Sequence, residues 1–480
     1  MKKTIIFFAI VILTSGQILS QGSAGVSDAR STGMGRTFVT SSNGLYAVGG
    51  NPANIFQGES SNKFELILPL PIPTVSARLG TDFFSLNDYN YFFGQSYKDE
   101  KGNDVGRLLT ESDKNRLKDL FSNGGNIFSD VKINWFGIAL NPSASFGTVA
   151  FTISDNISTS ATLPKDIVAL GIDGNLINRV YNFNDTKLKA WWLRKYSMTY
   201  ARELNILPVF RQLSFGLSLN IVQGFAYVGI DNVKTELKTD ANNVITGKGD
   251  FTGYSSFSTD FGVKYDFDSL SVKKDTKVSP FPESAGSGVG FDFGFRAKVN
   301  DVMSVGFAIT DIGSVKWTKN VAEFKSDNSI YLDDITDKGQ RDSLVDNLTG
   351  KGSGRYIGEI TTSLATALHI GCSLQIDKML NGNFPGTMLV ALDYHQGFND
   401  QPSNTTVPRF SLGAEWSPIN LLAFRSGFTF GGLTKFGWAA GLGFNFNMLE
   451  LNFGTPDMQY VLAPNSAKRI TVAFDSRWKF

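Results

Sequence analysis

The side chains best suited to chemistry in this sequence are those of His369, Asp393 and His395. Two imidazoles beside a carboxylate can bind a metal ion, or an imidazole can act as the general base of a hydrolase. Residues two apart on a strand share a face, so Asp393 and His395 project together. In a hairpin that turns near residues 380–384, His369 lies opposite one of them. The three residues are therefore a candidate polar cluster on one face of a sheet.

Other signals of catalysis are missing from the sequence. It contains no Gly-x-Ser-x-Gly elbow, no phosphate-binding Gly-x-x-x-x-Gly-Lys, no dinucleotide fingerprint and no Cys/His spacing typical of zinc. The chain has 2 histidines and 1 cysteine, Cys372, so most nucleophile and zinc schemes lack the necessary residues. The simpler interpretation of the cluster is a polar face in contact with water. We predict a protein that is not an enzyme, with no cofactor and no metal.

The first 20 residues have the pattern of an export signal. Lys2 and Lys3 precede an apolar run over residues 4–13, and a small residue, Ser20, precedes Gln21. This pattern predicts a secretory signal peptide, residues 1–20, cleaved near Ser20 and Gln21. The alternative is a membrane anchor, but the apolar run is too short to cross a bilayer as a helix.

Alternation with a period of two dominates the rest of the chain. Residues 471–480, 436–446 and 291–299 each place aromatic or aliphatic side chains on one face and small or polar ones on the other. The composition agrees, with 49 Gly and 40 Phe, because a sheet with one close-packed face and one lipid-contacting face needs both. By this parity His369, Asp393 and His395 face inward, and Cys372 faces outward.

A soluble β-sandwich also alternates, but the positions of the aromatic residues favour a membrane barrel. Aromatic side chains gather at strand ends, as in the girdles of membrane barrels: Trp416, Phe430, Trp438, Phe446 and Trp478. The chain also ends on an aromatic residue, Phe480, which is typical of a signal read by the barrel assembly machinery. We predict an all-β, transmembrane antiparallel barrel of about 14 strands (up to 16) over residues 61–480, in the outer membrane of a Gram-negative bacterium.

Several segments depart from this alternation. Residues 110–121, 164–176 and 185–195 are predicted as short helices in loops, the first with Thr110 and Asp113 as a capping pair. The hairpin over residues 233–245 either spans the membrane or extends above it.

The segment before the first strand is too irregular to face lipid, since unpaired backbone cannot lie in hydrocarbon. Residues 21–60 are therefore predicted to lie in the periplasm or inside the barrel. The following residues resemble the N-terminal hatch of the FadL superfamily of outer-membrane barrels, including its PorV-like members in Bacteroidota: Gly33, Met34 and Gly35, then Asn51, Pro52 and Ala53. The resemblance implies that this segment plugs a barrel of typically 14 strands.

A second resemblance concerns one hairpin. Residues 290–294, with the sequence Gly-Phe-Asp-Phe-Gly, together with residues 300–301 and 311–317, are similar to a Bacteroidota barrel family of unassigned function. Members of the FadL superfamily carry hydrophobic compounds through the hatch and sideways through the barrel wall, so the resemblance implies such passage here. The PorV-like members imply an alternative, an accessory or docking barrel of a type IX secretion or surface-assembly machine.

The expected partners follow from these predictions. They are outer-membrane lipid and lipopolysaccharide, the barrel assembly machinery, and either a hydrophobic small molecule or a protein of a secretion machine. The formal net charge of +1 gives no reason to expect a nucleic acid.

Overall fold

The structure, a computed structural model, describes residues 28–58, 63–94, 96–98, 101–102, 104–106, 108–122, 124–204, 209–231, 233–267, 271–274, 279, 281–334, 336–349, 354–381 and 383–480. The predicted signal peptide and its cleavage site lie outside these residues. No helix in the described ranges is both long and apolar enough to cross a bilayer.

Strands make up most of the described chain. In the first half they are β1 Phe64–Ile67, β2 Thr74–Thr81, β3 Ser96–Lys98, β4 Asp104–Gly106, β5 Gly125–Ser143, β6 Gly147–Leu163, β7 Val180–Asn182, β8 Lys187–Glu203, β9 Gln212–Asp231, β10 Glu236–Thr239, β11 Ile245–Phe257, β12 Val263–Asp266 and β13 Ser271–Lys274. In the second half they are β14 Gly286–Lys298, β15 Met303–Trp317, β16 Ala322–Leu332, β17 Arg355–Tyr356, β18 Ile360–Ser363, β19 Ala367–Gln375, β20 Thr387–Gly397, β21 Arg409–Ile419, β22 Leu422–Gly431, β23 Phe436–Asn445, β24 Leu449–Thr455 and β25 Arg469–Lys479.

The helices are short. They are α1 Ala29–Gly33, α2 Leu86–Phe92, α3 Glu111–Leu120, α4 Lys165–Asp173, α5 Lys338–Thr349, α6 Ile376–Met379 and α7 Met458–Leu462, with 3-10 turns at Gly44–Ala47, Pro52–Ile55, Thr259–Phe261 and Pro464–Ser466.

The wall is a closed antiparallel barrel of 14 strands, which confirms the predicted fold class. Its first position is shared by β1 and β2, and its eighth by β18 and β19. The others are β5, β6, β8, β9, β14, β15 and β20 to β25. Closure comes from pairing of the first position with the last, for example Leu66 with Trp478 and Val75 with Phe474. Closure leaves the wall without a free edge except between β1 and β2, where residues 68–73 are not paired.

The alternation seen in the sequence separates two environments. On β25, Ile470 and Val472 are exposed on the outside of the barrel, at 68% and 42%, whereas Thr471 and Asp475 are buried inside it. The same pattern around the barrel leaves Phe410, Phe430 and many other apolar side chains exposed on the outer surface. An apolar band around a closed barrel is the surface of a membrane-spanning barrel.

Beyond the outer rim, β11 pairs with the outer part of β9 and, along nearly its whole length, with β16. The adjoining β10 pairs with β7 and β11, and neither of these strands belongs to the wall. The hairpin over residues 233–245 therefore extends above the barrel. The helix predicted over residues 110–121 is α3, capped by Thr110 and Asp113 as predicted. The helix predicted over residues 164–176 is α4. The two helices are joined by a hydrogen bond from Nζ of Lys118 to Oδ1 of Asp173, at 2.7 Å. This hydrogen bond lowers the pKa of Asp173.

One predicted helix is wrong. Residues 185–195 were expected to be helical, but Lys187–Glu203 forms β8 and pairs with β6 on one side and β9 on the other. A strand between two neighbours has all its backbone groups paired, and this tertiary pairing outweighs the helix propensity of its lysine and leucine residues.

Candidate functional site

The lumen of the barrel is occupied by the N-terminal segment. Of residues 28–58, all are buried except Asn43, Val48, Gly49 and Gln57, which are partly buried. This segment, called the plug from here on, consists of α1, two 3-10 turns and the irregular stretches between them. Its burial comes from contact with the inner face of the wall.

The plug contacts the wall through glycine. The following wall glycines lie so close to it that an added Cβ would meet a plug atom, and they are called the glycine belt: Gly216, Gly294, Gly306, Gly371, Gly413, Gly427, Gly441 and Gly454. Members pair across neighbouring strands, as Gly413 does with Gly427 and Gly441 with Gly454. Only a residue without a side chain allows two backbones to approach this closely. The belt accounts for part of the high glycine content.

Gly33, Met34 and Gly35 lie against this belt. A Cβ at Gly441 would be 3.0 Å from Cα of Gly33, and one at Gly427 would be 2.7 Å from the nitrogen of Gly35. Gly35 has a φ of +65°, a conformation that side chains disfavour. Glycine is therefore required on both sides of this contact.

Asn51, Pro52 and Ala53 form the second contact region. The Asn51 side-chain amide donates to the carbonyl of Val39 at 2.8 Å and to that of Phe295 in the wall at 3.0 Å. Its side-chain oxygen accepts from the Ala53 backbone at 3.1 Å. Asn51 thus ties together two parts of the plug and one wall strand.

Buried or partly buried carboxylates of the wall bind the plug as well. Both oxygens of Glu415 accept from the guanidinium of Arg30 at 2.7 Å, and Glu415 also pairs with Arg425 at 2.6 Å. Asp475 accepts from the Ala29 backbone at 2.5 Å. These ion pairs fix the position of the plug relative to the wall, because a shift of the plug would leave a charge without its partner.

A third wall carboxylate, Glu65, accepts from the Leu45 backbone at 2.9 Å and from Arg477 at 3.3 Å. It fixes the plug beside the first wall strand.

The sequence-predicted cluster of His369, Asp393 and His395 faces the lumen. His369 is paired directly opposite His395, and their Nδ1 atoms are 3.0 Å apart, so one ring donates and the other accepts. The other ring nitrogen of His369 lies 3.0 Å from the hydroxyl of Thr310. Asp393 does not join the histidines: it accepts from the backbone N–H groups of Phe38 and Val39 at 2.6 and 2.9 Å.

The contacts of these residues hold the plug in place and are less suited to catalysis. His369 and Thr310 are 0% and 1% exposed, so a substrate could not reach them without movement of the plug. The Phe38 ring packs edge-on against His369 at 5.0 Å between centroids. Among the described residues, no group of three or more His, Cys, Asp or Glu side chains could hold a metal ion. Cys372 is partly buried and faces outward, opposite Val305.

The first wall strand is interrupted. Ile67 pairs with Gly137 and Thr74 pairs with Asn134, so residues 68–73 stand where β5 has only residues 135 and 136. The inserted sequence is Leu-Pro-Leu-Pro-Ile-Pro, and Leu70 at its centre is 68% exposed. Its contacts to β25 come from side chains: Ser476 donates to the carbonyl of Ile72 at 2.6 Å, and the Trp478 indole donates to that of Leu70 at 3.1 Å.

Apolar side chains of the plug and wall lie directly behind this interruption. Ile67, Leu45 and Ile55 are at most 1% exposed and belong to one cluster, whose other buried members are Tyr46, Ala47, Phe56, Ala139, Ala150 and Ala201. This cluster is called the apolar corner of the plug from here on. It joins the lumen side of the wall to the interruption.

Two small cavities lie between the described parts of the plug and the wall. One is lined by Lys132, Lys195, Asp292 and Asp311 with polar neighbours, and the other by Arg36, Arg78 and Arg409. Each has about 20 Å³, enough for a water molecule but not for an organic compound. Neither of these two cavities therefore offers a path for an organic compound.

Phe480, the predicted assembly signal, lies where the barrel closes. Its backbone N–H donates to the carbonyl of Phe64 at 2.8 Å, and the two rings are 5.7 Å apart. The side chain is 48% exposed on the outer surface. A contact with an assembly factor stays a prediction.

Sequence reasoning missed the glycine belt, the interruption and the arginine cavity. The interruption had a signal in the sequence, namely Pro69, Pro71 and Pro73. Proline has no N–H, so prolines at alternate positions cannot donate hydrogen bonds to the neighbouring strand on one side. The belt also had a signal, since Gly437, Gly441 and Gly443 share the inward parity of β23. The arginine cavity had none, because it joins residues far apart in sequence.

Among solved structures, the chain is similar to the toluene transporter TbuX of Ralstonia pickettii, with 12% identity, a TM-score of 0.45, and coverage of 95% of this chain and 99% of that one. It is similar to the toluene transporter TodX of P. putida at 11% identity and a TM-score of 0.41, covering 95% and 99%. A FadL homologue of Pseudomonas aeruginosa matches at 11% identity and a TM-score of 0.44, covering 96% and 98%.

Among curated proteins, no sequence matches. Residues 58–455, which include nearly the whole wall, match the description "Family of unknown function (DUF5723)". The chain therefore belongs to DUF5723, a family of unknown function.

Proposed function

We propose that this protein is an outer-membrane barrel that passes small hydrophobic compounds, and that they leave the lumen sideways at residues 68–73. The observation that carries the proposal is the interruption of the first wall strand beside an apolar cluster. A compound at this point would have apolar side chains on the lumen side and lipid on the other.

The composition of the interruption suits a segment that stays unpaired in a membrane. Each unpaired backbone group in hydrocarbon costs several kcal/mol. Proline has no N–H, so Pro69, Pro71 and Pro73 remove half of the donors that residues 68–73 would otherwise present. The carbonyls of Leu70 and Ile72 are satisfied by side chains of β25. Irregular backbone is thus stabilised here without closing the wall into a regular ladder.

The apolar corner is also where the plug can move most easily. A Cβ at Gly137 would meet the Leu45 side chain at 3.5 Å, an ordinary van der Waals distance. At most positions of the glycine belt, by contrast, an added Cβ would meet plug backbone. A side chain such as that of Leu45 can change rotamer to admit a ligand, whereas a buried backbone contact cannot. Passage then needs local movement of the cluster and leaves most of the plug in place.

Deletion of residues 69–73 tests the proposal. The deletion joins Leu68 to Thr74, so that Leu68 and Val75 continue the outward face of Leu66, and Thr74 continues the inward face of Ile67. We expect a continuous first strand and a fall in uptake of the hydrophobic fluorophore N-phenyl-1-naphthylamine to the level of cells without the protein. Uptake is measured as fluorescence in cells that express equal amounts of each variant.

The matched control replaces residues 69–73 by Gly-Ser-Gly-Ser-Gly, which keeps the length of the interruption. It is expected to retain uptake. Heat-modifiable migration in gels verifies that both variants are folded barrels. Unchanged uptake after the deletion, or an equal loss in the control, would contradict the proposed exit.

A second candidate function, docking of a secretion or surface protein, is favoured by the outer loops. Tyr89, Phe93 and Leu108 are 54%, 59% and 92% exposed around α2 and α3, which lie beyond the rim. If a protein docks there, a photo-reactive benzoylphenylalanine at Leu108 should crosslink to one discrete protein in cells, and the same group at Met379 on the inner side should not. Crosslinks to lipopolysaccharide alone would count against docking.

A further inference from the structure

The connection between β20 and β21 starts at the outer rim and folds back into the lumen. It spans residues 398–408, with the sequence Phe-Asn-Asp-Gln-Pro-Ser-Asn-Thr-Thr-Val-Pro. Phe398 and Asp400 are exposed at one end and residues 406–408 at the other, whereas residues 401–404 between them are buried. A loop that is wet at both ends and buried at its centre dips into the barrel. Residues 399–405 are called the strap from here on.

The centre of the strap contacts the far side of the barrel. The hydroxyl of Ser403 is hydrogen-bonded to that of Ser158 on β6, and it donates to Oδ1 of Asp130 on β5 at 3.1 Å. β20 and β21 are the ninth and tenth strands of the 14-stranded wall, whereas β5 and β6 are the second and third. Seven places are half of the circumference. The strap therefore crosses the whole lumen.

The near part of the strap is held by side-chain amides. Three of them donate to the link between β18 and β19, at 2.8, 3.2 and 3.0 Å: Asn399 to the Leu364 carbonyl, Gln401 to the Ser363 hydroxyl and Asn404 to the Thr366 carbonyl. The link itself is anchored, because Leu364 is 1% exposed and belongs to an apolar cluster with Trp317. The strap thus hangs between a fixed link on one side and Ser403 on the other.

The hydrophobic effect contributes little to this position of the strap. Six of its seven residues are hydrophilic, and the seventh is Pro402. Withdrawal into water would expose almost no apolar side chain, so the hydrogen bonds alone keep the strap inside.

The same position also carries costs. Within the part of the chain that the structure describes, the buried Oε1 of Gln401 and Oδ1 of Asn404 accept no hydrogen bond. Water would satisfy both atoms in a withdrawn strap. Ser403 has a φ of +70°, a backbone conformation that is rare outside glycine. Withdrawal relieves these costs, so the strap is suited to leave the lumen while the barrel stays folded.

The strap lies directly outside the plug. Ser403, Asn404 and Thr405 face Arg36 of the plug across one of the two water-sized cavities. A compound that approaches this part of the plug from outside the cell has to displace the strap first.

We propose that the strap is a gate at the outer mouth of the lumen. It is closed when Ser403 is bound to β5 and β6, and it opens when Ser403 lets go and residues 399–405 move out into water. Opening admits, from outside the cell, the hydrophobic compounds that leave at residues 68–73. This last step rests on the proposed function, whereas the opening of the strap does not.

A disulfide lock tests the gate. Ser158→Cys and Ser403→Cys are combined in a Cys372→Ser background, and because the two hydroxyls are in contact, the two thiols can be bridged by an oxidant. We expect the bridged protein to lower uptake of N-phenyl-1-naphthylamine to the level of cells without the protein, and dithiothreitol to restore it. Each single cysteine variant, treated with the same oxidant, is the matched control and should retain uptake.

Two results of this experiment would overturn the gate. One is unchanged uptake by fully bridged barrels. The other is a failure of the two cysteines to bridge in folded barrels, since Ser403 would then not lie at β6.

A second measurement needs no passage of a compound. In protein purified in detergent, single cysteines at Ser403 and at Ser41 of the plug, which are 7% and 6% exposed, react with a small charged methanethiosulfonate. We expect the thiol at position 403 to react at least about tenfold faster, because the strap opens locally while the plug stays in place. Equal rates would contradict the gate. Fast reaction at position 403, in a protein that takes up no fluorophore, would refute the proposed function and leave the gate standing.

Discussion

Replacement of Glu415 by glutamine is expected to loosen the plug while the barrel stays folded. Glutamine has nearly the same shape, so packing is retained and only the charge is lost. Arg30 and Arg425 then share a buried site without their common carboxylate. Removing one partner of a buried ion pair typically costs about 3–5 kcal/mol, which raises the population of a displaced plug at least about a hundredfold.

The displaced state can be measured by thiol labelling. Thr40 in the plug is 2% exposed and its hydroxyl has no hydrogen-bond partner, so Thr40→Cys removes no bond. In a Cys372→Ser background, a maleimide should label the new thiol slowly in the otherwise unaltered protein and much faster with Glu415→Gln.

Glu111→Gln serves as the control, because Glu111 forms an exposed pair with Lys114 that contributes little. Equal labelling rates in the Glu415 and Glu111 variants would show that the buried charges do not hold the plug.

Valine at Gly427 is expected to force the plug away from the wall. Its Cβ would lie 2.5 Å from the Met34 carbonyl carbon and 2.7 Å from the Gly35 nitrogen, and both atoms are backbone. Flexible side chains could move aside, but these atoms cannot move without shifting α1. Overpacking of a filled core costs about 1–3 kcal/mol, and the β-branched methyl groups deepen the clash.

The consequence should be visible as ion flow. A barrel of this size without its plug contains water, so we expect stable open-channel conductance in planar bilayers for Gly427→Val, and little for the unaltered protein. Gly253→Val is the control, because its Cβ would have no neighbour closer than 3.6 Å. Low conductance of folded Gly427→Val would mean that the belt tolerates side chains and that the close contact is incidental.

The wall could be predicted because its signal is local. On β23 and β25, one face contacts lipid and the other faces the lumen. Apolar residues therefore alternate with small or polar residues along each strand, with a period of two. The same parity placed His369 and His395 on one face, and they are indeed cross-strand partners. The role of Asp393 could not be read, because its partners are backbone N–H groups more than 350 positions earlier in the chain.

Failures of prediction have a common physical origin. In residues 185–195, helix propensity was outweighed by pairing with two distant strands, which no local pattern records. The arginine cavity likewise depends on where the plug folds back, since Arg36 meets Arg409 only inside the finished barrel. The interruption was different, because its three alternating prolines were visible in the sequence and were not interpreted as a break in a strand.

Passage of hydrophobic compounds through the wall at residues 68–73, as proposed, is tested most directly by locating a bound compound. The measurement is the anomalous scattering of bromine in crystals of the detergent-purified protein soaked with 1-bromonaphthalene. We predict a bromine peak between the interruption and the apolar cluster, in contact with Ile67 or Leu45. Bromine found elsewhere in the lumen, or only on the lipid-facing surface, would contradict the claim.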